Sequence, residues 1–260
     1  MQPIFGQAAA RVRFDWGRTG AEVVAGPGDL VVVVDVLSFS TAVSVAADGG
    51  IEVFPFPWRD GRATARADAL GATLARGRRE GAPSLSPAAL REYAASLAPA
   101  ARTPAGRLLL PSPNGSSISF AVTGRGGRVV AGCLRNASAV AGWLAGELAA
   151  DRAASVAVIA AGERWPDGSL RPAAEDLWGA GAIIAALAGR GLACSPEATA
   201  AAAGYAAAAS SLGSQLAGCA SGLELIAAGF GADVAVAAEL DGTRTVPVLV
   251  DGCFRPAACR

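Results

Sequence analysis

Carboxylates, hydroxyls and glycines stand where short apolar runs of this 260-residue chain stop. Asp35 ends the run Val31–Val34, and Ser38, Ser40 and Thr41 come straight after it. Ser112-Pro113-Asn114-Gly115-Ser116 follows Leu108–Leu110, and Cys133, Arg135, Asn136 and Ser138 follow Val129–Val130. Gly162, Glu163 and the adjacent pair Glu175-Asp176 come after Val156–Ile159. Hydroxyls and bare backbone N–H groups at helix starts hold anions by geometry and dipole. Carboxylates at the same edge suit a hard cation such as magnesium, which takes oxygen ligands. Phosphate at helix N-termini with magnesium on carboxylates is the minimal equipment for phosphoryl chemistry. Each feature alone also has a plainer reading. Asp35 and Ser40-Thr41 are plausible helix caps, Asn114-Gly115 is a common turn, and Glu175-Asp176 complements a helix dipole.

Composition narrows the chemistry. The chain contains no histidine. That excludes Ser-His-Asp and Cys-His catalysis, histidine zinc sites and imidazole acid–base work. The cysteines Cys133, Cys194, Cys219, Cys253 and Cys259 are odd in number and widely spaced, with no C-x-x-C pair. They read as reduced thiols of a cytoplasmic protein. Cys133 has Ala139 six residues on, so the arginine of a cysteine-phosphatase loop is missing, and a small buried residue is the expected role. No Walker A motif and no G-x-S-x-G elbow occurs, and Gly179-x-Gly181 falls inside a helical stretch. Lys+Arg and Asp+Glu both number 22. A formal charge of +0 predicts no nucleic-acid or membrane partner, and an anion would need a local site. No basic segment followed by an apolar run opens the chain, and the alanine-rich stretches are broken by polar residues, so neither a signal peptide nor a span is expected.

Unbroken β-branched runs suit strands buried on both faces, as in a parallel sheet. Helical patterns follow each of them: Ser40 to Ala47 ending at Asp48-Gly49-Gly50, Ile118–Val122, Ala137–Leu148, and Leu177–Leu187 opened by Glu175-Asp176. Strand, loop and helix repeated in this way predict an α/β protein, layered α/β/α, with a mostly parallel mixed sheet. Its ligands would then sit beyond the carboxyl ends of the strands. Arg11–Phe14 and Glu22–Val24 read as earlier strands. Val234–Leu240 and Thr245–Val250 around Asp241-Gly242 read as a C-terminal antiparallel hairpin. Residues 60–105 look helical but irregular. No long linker divides residues 1–260, so the expectation is one domain, with two fused lobes left open.

Taken in order, several stretches resemble the 2-phosphosulfolactate phosphatases, magnesium-dependent enzymes. They are Val33-Val-Asp-Val-Leu-Ser-Phe-Ser-Thr41, Ser112-Pro-Asn-Gly-Ser116, Gly132-Cys-Leu-Arg-Asn-Ala-Ser138, and Ala161-Gly162 with Ala174-Glu-Asp-Leu-Trp-Gly-Ala-Gly-Ala-Ile183. Ser221-Gly-Leu-Glu-Leu-Ile-Ala-Ala-Gly-Phe230 and the closing Pro247 strand also fit, so the similarity runs over roughly residues 30–254. The resemblance implies hydrolysis of a small acidic phosphomonoester. Asp35, Glu175 and Asp176 would hold magnesium and act in catalysis, with water or Asp35 itself attacking phosphorus. Ser38, Ser40, Thr41, Asn114, Gly115, Ser116, Asn136, Ser138, Gly162 and Glu163 would surround the substrate. The expected partner is a small anionic phosphorylated metabolite, with a homodimer left open. The alternative is a non-catalytic or divergent relative that binds a small anionic metabolite.

The departures from the family pattern matter as much. The family usually has arginine after its Asp-Val-Leu, and here Ser38 stands there, followed by Phe39. A Ser-His-Gly segment reads Ala220-Ser221-Gly222, and an acidic, glycine-rich middle region is reduced to Arg78-Arg79-Glu80-Gly81. Arg135 appears where the family tends to be apolar. A multiply anionic substrate calls for a fixed, forked cation. Arg135 is therefore expected in the Asp35 cleft with no protein carboxylate neutralising it. Arg164 and Arg171 come next, and a solvated Arg135 is the plain alternative.

Overall fold

In the computed structural model, which describes residues 3–97 and 106–257, the apolar runs are strands and the segments after them are helices. The chain begins with β1 (Val12–Trp16), α1 (Gly17–Val24), β2 (Leu30–Val34), α2 (Phe39–Asp48), β3 (Ile51–Phe56), α3 (Gly61–Leu70), β4 (Thr73–Leu74) and α4 (Pro87–Ser96). It continues with β5 (Gly106–Pro111), α5 (Gly115–Thr123), β6 (Arg128–Gly132), α6 (Ala137–Ala150), β7 (Val156–Ala160) and the two-residue strands β8 (Glu163–Arg164) and β9 (Leu170–Arg171). Then come α7 (Ala174–Ala188), α8 (Pro196–Ala208), α9 (Leu212–Gly218), α10 (Ala220–Ala227), α11 (Gly231–Ala237), β10 (Pro247–Val250) and β11 (Cys253–Pro256).

The main sheet has nine strands in the order β1-β7-β2-β6-β10-β11-β3-β5-β4, and β8 and β9 form a separate small hairpin. The fold is thus α/β with a mostly parallel mixed sheet. β1, β7, β2 and β6 are mutually parallel, as are β3, β5 and β4. Between these blocks lies the antiparallel pair β10–β11, bonded antiparallel to β6 on one side and β3 on the other. The two parallel blocks therefore run in opposite senses.

β2 is buried on both faces, which is why its sequence is an unbroken apolar run. Val32 and Val34 pack with Val140, Leu144, Ile183 and Leu187 of α6 and α7. Val31 and Val33 pack on the other side with Phe39, Val43 and Ala46 of α2. That second core also takes Ile51, Val53, Leu108, Leu110 and Phe254 from the opposite block. α2 therefore packs against both blocks. Every residue of α2 from Phe39 to Ala47 is buried. The start of α5, which follows β5, reaches the carboxyl end of β2 through the Gly115 N–H on Asp35, and that approach decides where the site forms.

The structure corrects several expectations. Glu22–Val24 is the end of helix α1, because Gly17, Gly20, Ala21 and Val24 recur at helical spacing on the buried side. The hairpin uses the turn Asp251-Gly252, both residues having positive φ (51° and 80°) as a tight hairpin turn needs. Val234, Val236 and Ala237 instead bury one side of α11, and Asp241 accepts hydrogen bonds from the backbone N–H and hydroxyl of Ser138 at the start of α6. The stretch 60–105 holds α3, β4 and α4; its positions 98–105, like Cys259, lie outside the described residues. Among the described residues no helix is long and apolar enough to cross a membrane.

Candidate active site

β2 and β7 end side by side, and the helices α2, α5 and α7 begin at that edge. Asp35 is the first residue beyond β2 and is buried. Its Oδ1 accepts the Phe39 N–H at 2.9 Å and its Oδ2 accepts the Gly115 N–H at 3.1 Å. The first N–H groups of α2 and α5, expected to hold phosphate, thus hold Asp35. Gly115 has to be glycine for this: a Cβ there would lie 2.2 Å from Phe39 Cδ1 and 3.0 Å from Asp35 Oδ2.

Asp176, in the first turn of α7, makes the matching clamp. It accepts the Val36 N–H at 2.7 Å and the Gly162 N–H at 2.8 Å. Gly162 has φ +65°, and a Cβ there would collide with Leu170. Glu175 is also buried and accepts the Cys219 thiol at 3.3 Å. Glu163, on β8, accepts the Asn114 amide at 3.0 Å and stands across the small hairpin from Arg171. Arg171 donates in turn to the Ser221 hydroxyl at 3.1 Å.

These acids feel one another. Burial pushes Asp35 up from its ordinary value, with Glu175 adding to it, while the Phe39 and Gly115 N–H groups and the Arg78 charge pull it back. Burial, then the charges of Asp35 and Glu175, hold Asp176 well above the usual carboxylate range. Burial first, then the Asp35 charge, raise Glu163 to about 7. Burial and Glu175 lift the Cys219 thiol to about 11. Asp35, Glu163, Glu175 and Asp176 therefore form one electrostatic cluster, as the strand-end reading expects. A cavity of about 290 Å³ opens beside Glu163 and Asn114, walled by Trp16, Ile118 and Leu170.

The expected metal ligands stand together at this edge without forming a closed cage. Among the described residues no group of three or more acids, thiols or imidazoles is disposed to hold a metal ion. Asp35 and Asp176 both already accept a backbone N–H on each oxygen. Asp35, Glu175 and Asp176 are thus not a preformed three-carboxylate cage. Their chemistry still fits a hard cation held through one or two carboxylates, with water and phosphate oxygens completing the shell, as magnesium prefers. Carboxylates raised by burial and then by one another's charge are also where a cation gains most.

Most of the hydroxyls expected around a substrate turn inward. Ser40 donates to the Val33 carbonyl and accepts the Asp35 N–H, fastening the end of β2. Thr41 donates to the Val36 carbonyl and Ser116 to the Leu110 carbonyl, and all three side chains are fully buried. The Asn136 amide binds the Cys133 N–H and the carbonyls of Ala131 and Thr245. Ser138 is spent on Asp241. Buried backbone groups require partners, and these side chains supply them. Arg135 is corrected most sharply. Its guanidinium reaches Asp48 at 3.2 Å, Glu239 at 3.1 Å and Ser44 at 3.0 Å, so two carboxylates neutralise it. It fastens α2 to the segment after α11 and offers no free charge to the cleft.

Sequence reasoning missed Arg78. It donates through Nη2 to the Ser38 hydroxyl and through Nε to Asp233 Oδ2 at 3.1 Å. The position stands 40 residues from Ser38 in the chain. The usable signal was the lost family arginine at position 38, which demanded a replacement cation from elsewhere. With this geometry in hand, the comparison with known families is informative: a family model described as 2-phosphosulpholactate phosphatase matches residues 21–252. No curated protein matches the chain.

Proposed function

The chain belongs to the 2-phosphosulpholactate phosphatase family, whose members are phosphoric monoester hydrolases, and from that premise we propose that it hydrolyses 2-phosphosulpholactate or a similar phosphorylated three-carbon acid with magnesium. The observation that carries this reading is the gathering of the carboxylates Asp35, Glu163, Glu175 and Asp176 at one sheet edge, where their charges act on one another. Asp35 and Glu175 or Asp176 would supply the protein oxygens for magnesium, and the ion, when bound, would supply neutralisation of phosphate charge.

The chain's own residues divide the remaining work. Both oxygens of Asp35 are held by backbone N–H groups, which fixes the carboxylate and makes it a poor nucleophile. In this reading water attacks phosphorus and Asp35 orients it. The departing alkoxide needs a proton. Glu163, with a pKa near 7, is partly protonated at neutral pH and supplies it as a general acid. Asn114 fixes the Glu163 carboxyl, and the adjoining cavity gives the leaving alcohol room.

Phosphate release from a panel of phosphorylated three-carbon acids, with magnesium and with chelator, tests the proposal. Magnesium-dependent turnover of at least one acid, faster than that of phosphomonoesters whose alcohol carries no further acid group, is the expected outcome. Retention of an acid on the protein with no phosphate release would favour the non-catalytic binding reading.

A further inference from the structure

Among the described residues Arg78 is the cation that donates to Ser38, three residues after Asp35, and its own surroundings show how it is held. The side chain is one-fifth exposed, while its partner Asp233 is buried. Asp233 also accepts the Ser86 hydroxyl and the Ala88 N–H, so it is anchored independently of Arg78. The Phe230 ring lies beneath the guanidinium, 5.9 Å from its centre. Nε goes to Asp233 and Nη2 to Ser38, and among the described residues Nη1 has no hydrogen-bond acceptor. The Ser38 hydroxyl accepts from Arg78 and donates to nothing described, so its hydrogen is also unspent. The Arg78 charge reaches Asp35 directly. A forked cation with a spare donor, beside a hydroxyl with a spare donor, at the rim of an acid cluster is the arrangement that binds an oxyanion.

A second guanidinium stands close by. Arg59 follows β3 and donates to the Pro111 carbonyl at 3.2 Å, at the end of the strand that leads to Gly115. Its partial burial and the Arg78 charge lower it from its ordinary value, against the opposing Glu80 charge. Glu80 itself accepts the Gly77 N–H within the loop that carries Arg78.

We propose that Arg78 and the Ser38 hydroxyl form the oxyanion-binding arm of the site. The arm takes a phosphate or sulfonate group of the substrate. It replaces by tertiary contact the charge that Ser38 cannot supply. The proposal rests on the phosphoester reading of the site, but its binding test does not. An arginine that merely staples its loop to α11 would need only the Asp233 contact.

Calorimetric titration with inorganic phosphate and with sulfate, in chelator, reads the arm without turnover. Wild type is expected to bind both. Arg78→Ala should lose at least about tenfold in affinity for each, as removal of a charge-assisted hydrogen bond does. Arg78→Lys keeps a charge for Asp233 but not the fork. It should fold normally and still bind several-fold more weakly, which covers the case where the alanine variant does not fold. Arg79→Ala, on the exposed neighbour, should match wild type. With substrate, Arg78→Lys should raise KM more than it lowers kcat. Wild-type affinity for both anions in Arg78→Ala or Arg78→Lys, or no anion binding by wild type, overturns the proposal. Anion binding lost on substitution in a protein that turns over no phosphoester would leave the arm standing and sink the phosphatase reading alone.

Discussion

Glu163 is the side chain whose charge changes near neutrality, and its role has a testable sign. Burial lifts its carboxyl to about 7, so the protonated form needed for leaving-group departure is lost as pH rises through that value. The kcat/KM profile should fall on the alkaline side with an apparent pKa near 7. Glu163→Gln should remove that limb and lower kcat/KM by roughly a hundredfold, the scale of lost general-acid catalysis. An aryl phosphate, whose leaving group needs no proton, should be spared. A profile unchanged by the substitution would take Glu163 out of the chemistry. Cys133 points the other way. Its thiol is fully buried, pushed up by burial, and bonded to Asn136. Cys133→Ser should keep kcat within about twofold, because thiol nucleophiles need a lowered pKa and access; loss of activity with alkylation sensitivity would reverse that. Asp35, Glu163 and the Glu175-Asp176 pair were legible in the sequence because they stand at strand ends. The inward turn of Ser40, Thr41 and Ser116 was not, since a hydroxyl gives the same letter whether it meets a ligand or a carbonyl.

At the scale of elements, the site depends on how closely the start of α5 approaches Asp35. Gly115→Ala should be costly: its Cβ would fall on the Phe39 ring. Overpacking of this kind costs about 1–3 kcal/mol. A lower urea midpoint with unchanged m-value, together with a loss of turnover larger than any loss in folded fraction, is the expected result. Unchanged turnover would mean that the Gly115 clamp on Asp35 is dispensable. β2, β5, β6 and β7 could be read from their apolar runs because strands buried on both faces leave no other pattern. The reversal of the β3–β5–β4 block could not, because strand sense across a sheet is set by pairings such as Phe254 with Val53, far apart in the chain. The hairpin was placed too early because Asp241-Gly242 and Asp251-Gly252 carry the same turn signal. Burial of Val234 and Ala237 on one helix side decided between them.

The whole molecule carries an electrostatic cost in this cluster. Asp35, Glu163 and Asp176 all sit above their ordinary values, so the folded state holds protons that the unfolded state releases. Their contribution to stability is therefore greatest at low pH and is lost as pH rises through about 7. In chelator, Tm should decline between about pH 5.5 and 7.5, and Glu163→Gln should flatten that decline. Magnesium should raise Tm most at the upper end, where the acids are ionised and ligand binding adds to stability. A Tm that rises with pH in chelator, or ignores magnesium throughout, would contradict a cation site among these carboxylates.

Steady-state phosphate release from 2-phosphosulpholactate by wild type and Asp35→Asn, each with magnesium and with chelator, tests the central claim most directly. The amide keeps an acceptor for Phe39 or Gly115 and removes a buried charge, so the variant should fold. Wild type should turn over only with magnesium, and Asp35→Asn should lose roughly a hundredfold or more, the scale of several kcal/mol of metal-derived stabilisation. Equal turnover by wild type in magnesium and in chelator, with Asp35→Asn matching it, would contradict a magnesium-assisted site built on Asp35.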